Sequence, residues 1–218
     1  MCAVADPIPR DFRIYIENLY SQIPKGDLEH VLDNLIFLLE LGKDRRQSLR
    51  SFLDQVARMI FKLFDVEEIS IGLKDRKEDR WRYEIVFGYT RAVEAKVRKL
   101  EYNRADMYEF DTYPNVKIGR LSELNPVEGM PELEADAYNR PYRVGEKRQS
   151  VDDFHEGDFV DFWIYGPSKE IIAWIELSRP KNGKMLPRAN VRWIELIAGA
   201  CSPIILQKWK AESKKEVP

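Results

Sequence analysis

The sequence predicts a fold of the α/β or α+β class, with a central antiparallel β-sheet that carries N- and C-terminal helices on one face and a long lid loop on the other. Two adjacent runs of β-branched and aromatic residues, Phe159–Tyr165 and Ile171–Ser178, indicate a hairpin. A helix with apolar residues at helical spacing is expected to follow, from about Pro187 to Trp209. Another pair of strands is predicted earlier in the chain, and a proline-dotted segment separates the two pairs.

The N-terminal part is predicted to be helical. Residues 11–23 place apolar side chains at helical spacing, and Pro24-Lys25-Gly26 then breaks the element. Asp27 suits the N-cap of a second helix and Gly42 its C-cap, and a third helix is expected over about residues 47–64. These helices carry more apolar surface than one buried face needs, so part of that surface is expected to meet another subunit.

The first strand pair is predicted directly after these helices. Ile69–Leu73 alternates apolar and small residues, and Trp81–Tyr89 is its partner strand. The charged residues 74–80 between them are most simply a solvated hairpin tip. A short amphipathic helix is expected from Arg91 to Tyr102.

The segment from Glu101 to Gly157, called the lid below, is irregular in sequence. It contains four prolines and seven aromatic residues. A long irregular segment within one domain is usually either disordered or a binding lid, and disordered segments are poor in aromatic residues. The sequence therefore favours an ordered lid over the sheet.

Composition and charge narrow the function classes. With 35 basic and 37 acidic residues the net charge is −2, so no bulk field draws the chain to nucleic acid or to a membrane. Cys2 and Cys201 lie at opposite ends, which excludes a disulfide framework and a cysteine zinc site. Asp6 and Pro7 stand where a signal peptide would be apolar, and no run approaches a membrane span. We expect a cytoplasmic protein.

Strand alternation assigns each side chain to a face of the sheet. One side of each strand is apolar and is expected to pack on helices 47–64 and 188–209, and Ile171 is assigned to this side together with Ala173. The other side mixes carboxylates with aromatic rings and should face the lid. The candidate ligand-binding residues on the sheet are Glu84, Asp161, Trp163, Tyr165, Trp174 and Glu176, and those on the lid are Tyr108, Phe110, Arg140 and Arg143.

Three interpretations of this mixed face stay open. Carboxylates under a lid need partners, because an unpaired buried charge costs several kcal/mol. Arg140, Arg143, Lys147 and Arg148 of the lid could supply them as internal ion pairs between lid and sheet. Alternatively the face is the wall of an aromatic, acid-lined cavity for a cationic or multi-hydroxyl ligand. The third interpretation is an open solvated face, against which the two tryptophans argue.

Metal and nucleic-acid sites are not predicted. His155 stands alone among acids and lacks the second nitrogen or sulfur ligand of a transition-metal site, and turn chemistry before a strand explains the same residues. The basic residues 140–148 have acidic neighbours at Glu132, Glu134, Glu146 and Asp152, which weaken affinity for phosphates.

Several motifs near the C-terminus resemble those of GAF domains in sensor kinases. The turn before the hairpin is His155-Glu156-Gly157-Asp158, the second strand contains Ile172-Ala173-Trp174-Ile175, and Arg179-Pro180-Lys181-Asn182-Gly183 follows it. The last helix carries Pro187, Val191, Ile194-Glu195 and Ala198 in the family's order. The resemblance spans about residues 47–210. It implies a GAF-like domain over residues 46–212, a helical extension over 1–45 and a tail over 213–218.

Some residues depart from the family pattern. Ala173 replaces the usual glycine, and Pro203 is expected to kink the last helix. The lid has no cysteine, so covalent bilin attachment and methionine sulfoxide reductase activity are not expected. Asn182-Gly183-Lys184 followed by Trp193 matches the cyclic-nucleotide signature poorly.

The resemblance implies a regulatory domain that senses a small molecule, without naming the ligand or a cofactor. Such a domain is expected to work as a homodimer through its terminal helices and to pass its signal to a separate partner protein, since the 218 residues leave no room for an output module. The alternative is a dimerisation module whose pocket is filled by its own side chains. A third hypothesis is an enzyme with Glu84, Asp161 or Glu176 as acid–base groups, but an enzyme is not expected, because no nucleophile–base or metal constellation supports it.

Overall fold

The computed structural model describes residues 27–44, 46–109, 115–129, 137–144 and 146–213. The helix predicted over residues 11–23 and the candidate Phe110 lie outside these residues. The helices are α1 (Asp27–Lys43), α2 (Leu49–Leu63), α3 (Arg91–Val97), α4 (Arg104–Tyr108) and α5 (Arg188–Ser213). The strands are β1 (Val66–Lys74), β2 (Trp81–Phe87), β3 (Glu101–Tyr102), β4 (Val116–Lys117), β5 (Ser122–Asn125), β6 (Phe159–Tyr165) and β7 (Ile171–Pro180).

The strands form one antiparallel sheet in the order β3-β2-β1-β7-β6-β5-β4. The two predicted hairpins meet at its centre, where β1 pairs with β7 from Val66 opposite Pro180 to Leu73 opposite Ala173. The lid contributes the short strands β3, β4 and β5, of which β3 and β4 are the edges of the sheet; none of the three was predicted. The predicted fold class is confirmed.

Helices α2 and α5 cover one face of the sheet, and α1 packs on these two helices. Ser48 caps α2 by accepting a hydrogen bond from the Ser51 amide, in keeping with the preference for serine at this position. Apolar side chains of α2 and α5, such as Phe52 and Ile194, are fully buried against Ile71, Phe162 and Ile175 of the sheet. These three residues of the sheet pack on α2 and α5 as expected, whereas Ile171, assigned to the same side, does not.

Gly42 does not end its helix, which continues to Lys43. A Cβ atom at Gly42 would lie 2.5 Å from Cδ1 and 2.8 Å from Cγ1 of Ile204 on α5. The predicted C-cap role is therefore wrong, and the absence of a side chain instead lets α1 approach α5 closely.

Helix α5 is 26 residues long and runs through Pro203 without ending there. Among the described residues it alone is long and apolar enough, by length and composition, to cross a membrane, contrary to the expectation that no run approaches a span. Its apolar side chains, including Ile197, Ala198 and Ile205, are buried in the core that it shares with the sheet. The apolar composition of α5 is therefore explained by its position in the core.

The second, lid-facing side of the sheet has its own smaller apolar cluster. Trp81, Tyr83 and Trp174 of the sheet pack there with Tyr102 and Ala137 of the lid. The described parts of the lid therefore cover the sheet, as an ordered lid is expected to do.

Candidate functional site

A cavity of about 310 Å³ lies between the sheet and the lid. This volume is at the small end of the range for ligand pockets. Among the described residues that line the cavity, nine are aromatic, five are acidic and one, Lys169, is basic. The cavity is thus walled by rings and carries an excess of carboxylates.

The floor of the cavity is built around Trp174, which is 3% exposed. Its ring lies directly over Gly72 of the neighbouring strand, so that a Cβ atom at that position would overlap the ring. The rings of Tyr83 and Tyr102 meet it edge-on, with centroids 5.1 and 5.9 Å away. Since these contacts come from three strands and fix the ring from several sides, the floor is preformed.

Three carboxylates lie in one row across the floor. Glu123 is directly opposite Asp161 in the β5–β6 ladder, and Asp161 is directly opposite Glu176 in the β6–β7 ladder. Residues that are opposite in a sheet project to the same face, and all three line the cavity.

Neutral side chains among the described residues donate hydrogen bonds to these carboxylates. Asn125 Nδ2 donates to Asp161 Oδ2 at 2.9 Å, and Trp163 Nε1 donates to Glu123 Oε2 at 3.1 Å. Glu176 accepts from the Tyr83 hydroxyl at 2.5 Å and from Ser70 Oγ at 3.1 Å. Burial, followed by the charge of Glu176, raises the pKa of Tyr83 well above 10, which keeps its hydroxyl a donor.

Two contacts fasten the lid to the rim of the cavity. The Tyr108 hydroxyl on α4 accepts a hydrogen bond of 2.7 Å from the amide of Ile171 at the start of β7. Asn139 accepts from the Thr90 amide at 2.9 Å and donates to Glu68 Oε1 at 2.6 Å. Both contacts join lid segments that line the cavity to the strands beneath.

A buried ion-pair cluster lies beside this rim. Arg179 contacts both Glu67 and the fully buried Glu68, and its Nε is 3.7 Å from Glu156 Oε2. Burial raises the pKa of Glu68, an effect that the hydrogen bonds from Arg179 and Asn139 oppose. The cluster is held within the protein and does not line the cavity.

Six of the ten predicted site residues lie around the cavity. These are Tyr108, Asp161, Trp163, Tyr165, Trp174 and Glu176. Their role in binding a ligand stays a prediction. The tenth candidate, Phe110, is outside the described residues.

The two lid arginines among the candidates do not line the cavity. Arg140 pairs with Glu156, whose Oε2 is 2.7 Å from its Nη2, and Arg143 pairs with Glu146 at 2.9 Å. The prediction that these two arginines form ion pairs with acids of the sheet is therefore wrong. The arginines pair with carboxylates of the lid itself, because these lie closer than the acids on the cavity floor.

Glu84 lies on the opposite face of the sheet from the cavity, and its predicted placement is wrong. Ile71 is opposite Ile85, but the next residue, Gly72, is opposite Tyr83, so Glu84 is the extra residue of a β-bulge. The bulge turns Tyr83 to the lid side and Glu84 toward α2, where it is 3.6 Å from Arg50. A second bulge at Ile172 turns Ile171 into the cavity, contrary to its assignment to the helix side.

Sequence reasoning missed several lining residues. Glu123 and Asn125 lie on β5, whose four residues are too few to show an alternation within the lid. Tyr83 is the neighbour of Glu84, so regular alternation would place it on the helix side, and only the bulge turns it to the lid. Tyr138 carries no periodic signal that could have placed it. The aromatic content of the lid was the one sequence signal that the lid contributes residues to the cavity.

The turn at His155 matches its structural interpretation. The Asp158 amide donates to His155 O at 3.0 Å, and Asp158 Oδ2 accepts from the His155 amide at 2.7 Å. Within the described ranges no three histidine, cysteine, aspartate or glutamate side chains are placed to hold a metal ion.

Solved structures with the same fold come from several regulatory proteins. No family profile and no curated protein sequence matches the chain. The GAF domain of a phosphoenolpyruvate-protein phosphotransferase from Coxiella burnetii is similar with a TM-score of 0.55 at 13% identity, over 88% of this chain and 100% of that one. A GAF domain/HD domain protein from Geobacter sulfurreducens gives 0.53 at 10% identity, over 78% and 97%.

The photosensory core module of a Stigmatella aurantiaca phytochrome is similar with a TM-score of 0.51 at 12% identity. The match spans 89% of this chain and 40% of the phytochrome chain. Identities this low carry information on the fold alone. Together with the seven-stranded antiparallel sheet and its helices, these similarities show that the chain has the GAF-domain fold.

Proposed function

We propose that this chain is a regulatory domain that binds a small molecule in the cavity between sheet and lid. The observation that carries the proposal is the cavity itself, a preformed aromatic floor with three carboxylates in a row beneath a lid. Concave sites with apolar walls and a few fixed polar groups are the usual form of small-molecule sites.

The structural neighbours support a sensory role in general. They include GAF domains of a phosphotransferase, of a GAF domain/HD domain protein and of a phytochrome photosensory module. Because one fold hosts many functions, the ligand has to be argued from the site of this chain.

A binding role fits the lining better than catalysis. The described residues that line the cavity include no serine, threonine, cysteine or histidine. Hydroxyl, thiol and imidazole groups of this kind are common nucleophiles and bases of enzymes, alongside carboxylates, lysine and tyrosine. Neutral side chains donate to Asp161 and Glu123, and the described residues show no arrangement of nucleophile, base and orienting group that would support an enzyme.

We further propose that the chain acts as a cytoplasmic homodimer through its terminal helices and signals to a separate partner. Helix α1 buries Val31 and Leu38 but leaves large apolar side chains exposed on its other side, among them Ile36 at 55% and Phe37 at 54%. A contiguous apolar surface of this kind is typical of protein contacts. The same surface also supports the second candidate, a dimerisation module without a ligand, which the open cavity argues against.

Native mass spectrometry of the purified full chain, followed by thermal shifts with a metabolite library, tests ligand binding. A ligand that binds the folded state stabilises it and raises Tm. At a ligand concentration about one hundred times Kd, the free energy of unfolding increases by about 2.7 kcal/mol. Trp163→Leu, in the cavity, should abolish the shift. Trp193→Leu is the matched control, because Trp193 packs on the helix side of the sheet.

Analytical ultracentrifugation tests the dimer. Ile36→Lys with Phe37→Lys should convert a dimer to a monomer, whereas Val151→Lys, at a 94% exposed position on the lid, should not. A dimer without any ligand would favour the dimerisation module. A monomer at all concentrations would contradict dimerisation through α1, both in the sensor and in the dimerisation module.

A further inference from the structure

The cavity has a strongly uneven charge. Its described lining carries Asp106, Glu109, Glu123, Asp161 and Glu176 against Lys169 alone. Like charges on directly opposite residues destabilise a sheet. Here Glu123 on β5 is opposite Asp161 on β6, and Asp161 is opposite Glu176 on β7. Such a row is best stabilised by a positive charge within the cavity.

Aromatic rings form a second row beside the carboxylates. Trp163 is directly opposite Trp174, and the next residue across is Gly72, on which the Trp174 ring lies. Trp163 is two positions after Asp161 on β6, and Trp174 is two positions before Glu176 on β7, so the rings and the carboxylates are on the same face. A ligand in the cavity would therefore meet ring surfaces and carboxylates at once, which is the combination that holds organic cations.

Three arginines of the lid pair with carboxylates that do not line the cavity. Arg140 pairs with Glu156, Arg143 with Glu146, and Arg148 with Asp158 and Glu128. The lid residues outside the described ranges, 110–114, 130–136 and 145, include no lysine, arginine or histidine in the sequence. Arg104 is 3.6 Å from Asp79, and neither Arg104 nor Arg120 is among the described residues that line the cavity, whose basic member is Lys169.

We infer that the ligand is an organic cation, an amine or quaternary ammonium compound with a small apolar body; this inference rests on the proposed function. The charged head lies against the row Glu123–Asp161–Glu176, and the apolar body lies against Trp163 and Trp174. A single metal ion does not suit the row, because strands about 4.8 Å apart spread the carboxylates, and the described residues hold no metal-binding cluster.

Matched probes test the charge directly by isothermal titration calorimetry on the full chain. Choline is compared with its neutral carbon isostere 3,3-dimethyl-1-butanol, and tryptamine with indole-3-propionate. myo-Inositol represents multi-hydroxyl ligands and CaCl₂ a divalent ion. We expect a cation to bind at least tenfold more tightly than its neutral or anionic counterpart, since a desolvated cation–π contact and a charge-assisted hydrogen bond each contribute about that factor.

Charge-removing variants then locate the binding. Asp161→Asn and Glu123→Gln should each weaken the binding of the cation by about 10- to 100-fold. Glu84→Gln is the matched control, because it removes the same charge on the opposite face of the sheet and should leave affinity unchanged. Glu123 is only half-buried, so its variant keeps the test valid if Asp161→Asn fails to fold.

The outcomes separate the inference from the function beneath it. Tighter binding of an anion, a neutral isostere, inositol or calcium in this cavity would overturn the organic cation and leave a small-molecule sensor standing. Equal losses from Glu84→Gln and Asp161→Asn would likewise contradict the assignment to the carboxylate row. No binding by any probe or by the wider metabolite library would overturn the proposed function and the inference with it.

Discussion

Arg148 of the lid and Asp158 at the entrance to β6 form a two-pronged ion pair, with Nη1 2.7 Å from Oδ2 and Nη2 2.6 Å from Oδ1. Asp158 is fully buried and also accepts the amides of Val127 and His155. One carboxylate thus joins three separate parts of the lid. Hydrogen bonds to the charged form of a group are among the stronger ones in proteins.

Arg148→Met is therefore expected to destabilise the protein by about 3–5 kcal/mol, because it leaves a buried carboxylate without its cation. Urea denaturation measures the loss, and amide exchange should quicken at Val127 and His155. Arg143→Met is the control, since its pair with Glu146 is 43% and 50% exposed and should contribute at most about 1 kcal/mol. Equal effects of the two substitutions would show that the Asp158 pair does not hold the lid.

Glu195 is expected to make stability depend on pH. Burial would raise its pKa, but hydrogen bonds from the Leu121 amide, Arg192 and Ser122 Oγ hold the pKa below its ordinary value of 4.5. A lowered pKa in the folded state contributes stability that is present above pH 4.5 and is lost as the pH falls through the folded-state pKa.

At pH 7, Glu195→Gln should cost about 1.5–3 kcal/mol, the typical value of hydrogen bonds to a charged group. Thermal unfolding between pH 7 and pH 3 measures both proteins, and their Tm values should converge below pH 4.5. Asp54→Asn serves as the control, because this carboxylate pairs with Arg58 at the surface of α2. A gap between wild type and Glu195→Gln that persists to pH 3 would contradict a lowered pKa.

The fold could be predicted from the sequence because its largest elements have strong periodic patterns. In β6 the alternation is uninterrupted, so Asp161 and Trp163 were assigned to the lid side, where the structure has them. The edge strands β3 and β4 have two residues each, and no period can be read from two residues.

The site could be predicted only where the strands are regular. Glu84 and Ile172 are each the extra residue of a β-bulge, and beyond a bulge every side chain of the strand points to the face opposite to that expected from regular alternation. Neither residue type distinguishes a bulge from a regular strand position. The partners of Arg140 and Arg143 were also beyond the sequence. A surplus of nearby acids does not reveal which one a folded lid brings within 3 Å.

Gly42 and Gly199 should respond in opposite directions to the same substitution. Gly42→Ala would place a methyl group 2.5 Å from Ile204 Cδ1, and the β-branched isoleucine has little rotamer freedom to move away. We expect a loss of about 1–3 kcal/mol from overpacking. At Gly199, on α5, nothing lies within 4 Å of the new methyl group, so Gly199→Ala should gain about 0.5–1 kcal/mol through helix propensity. Chemical denaturation of both variants checks the sign, and a gain at Gly42 would contradict the close approach of α1 to α5.

Gly72→Ala tests whether the cavity floor depends on the backbone beneath Trp174. A Cβ atom there would overlap the indole ring, so the ring has to move into the cavity or the strands have to separate. We expect a loss of about 1–3 kcal/mol, a changed tryptophan fluorescence spectrum, and loss of ligand binding without any change in charge. Trp174→Phe, a smaller ring, should restore part of the stability when combined with Gly72→Ala, because the two residues are in contact and their effects are coupled. Additive losses in the double variant would mean that the indole ring is not supported by Gly72, and the floor would then not be preformed.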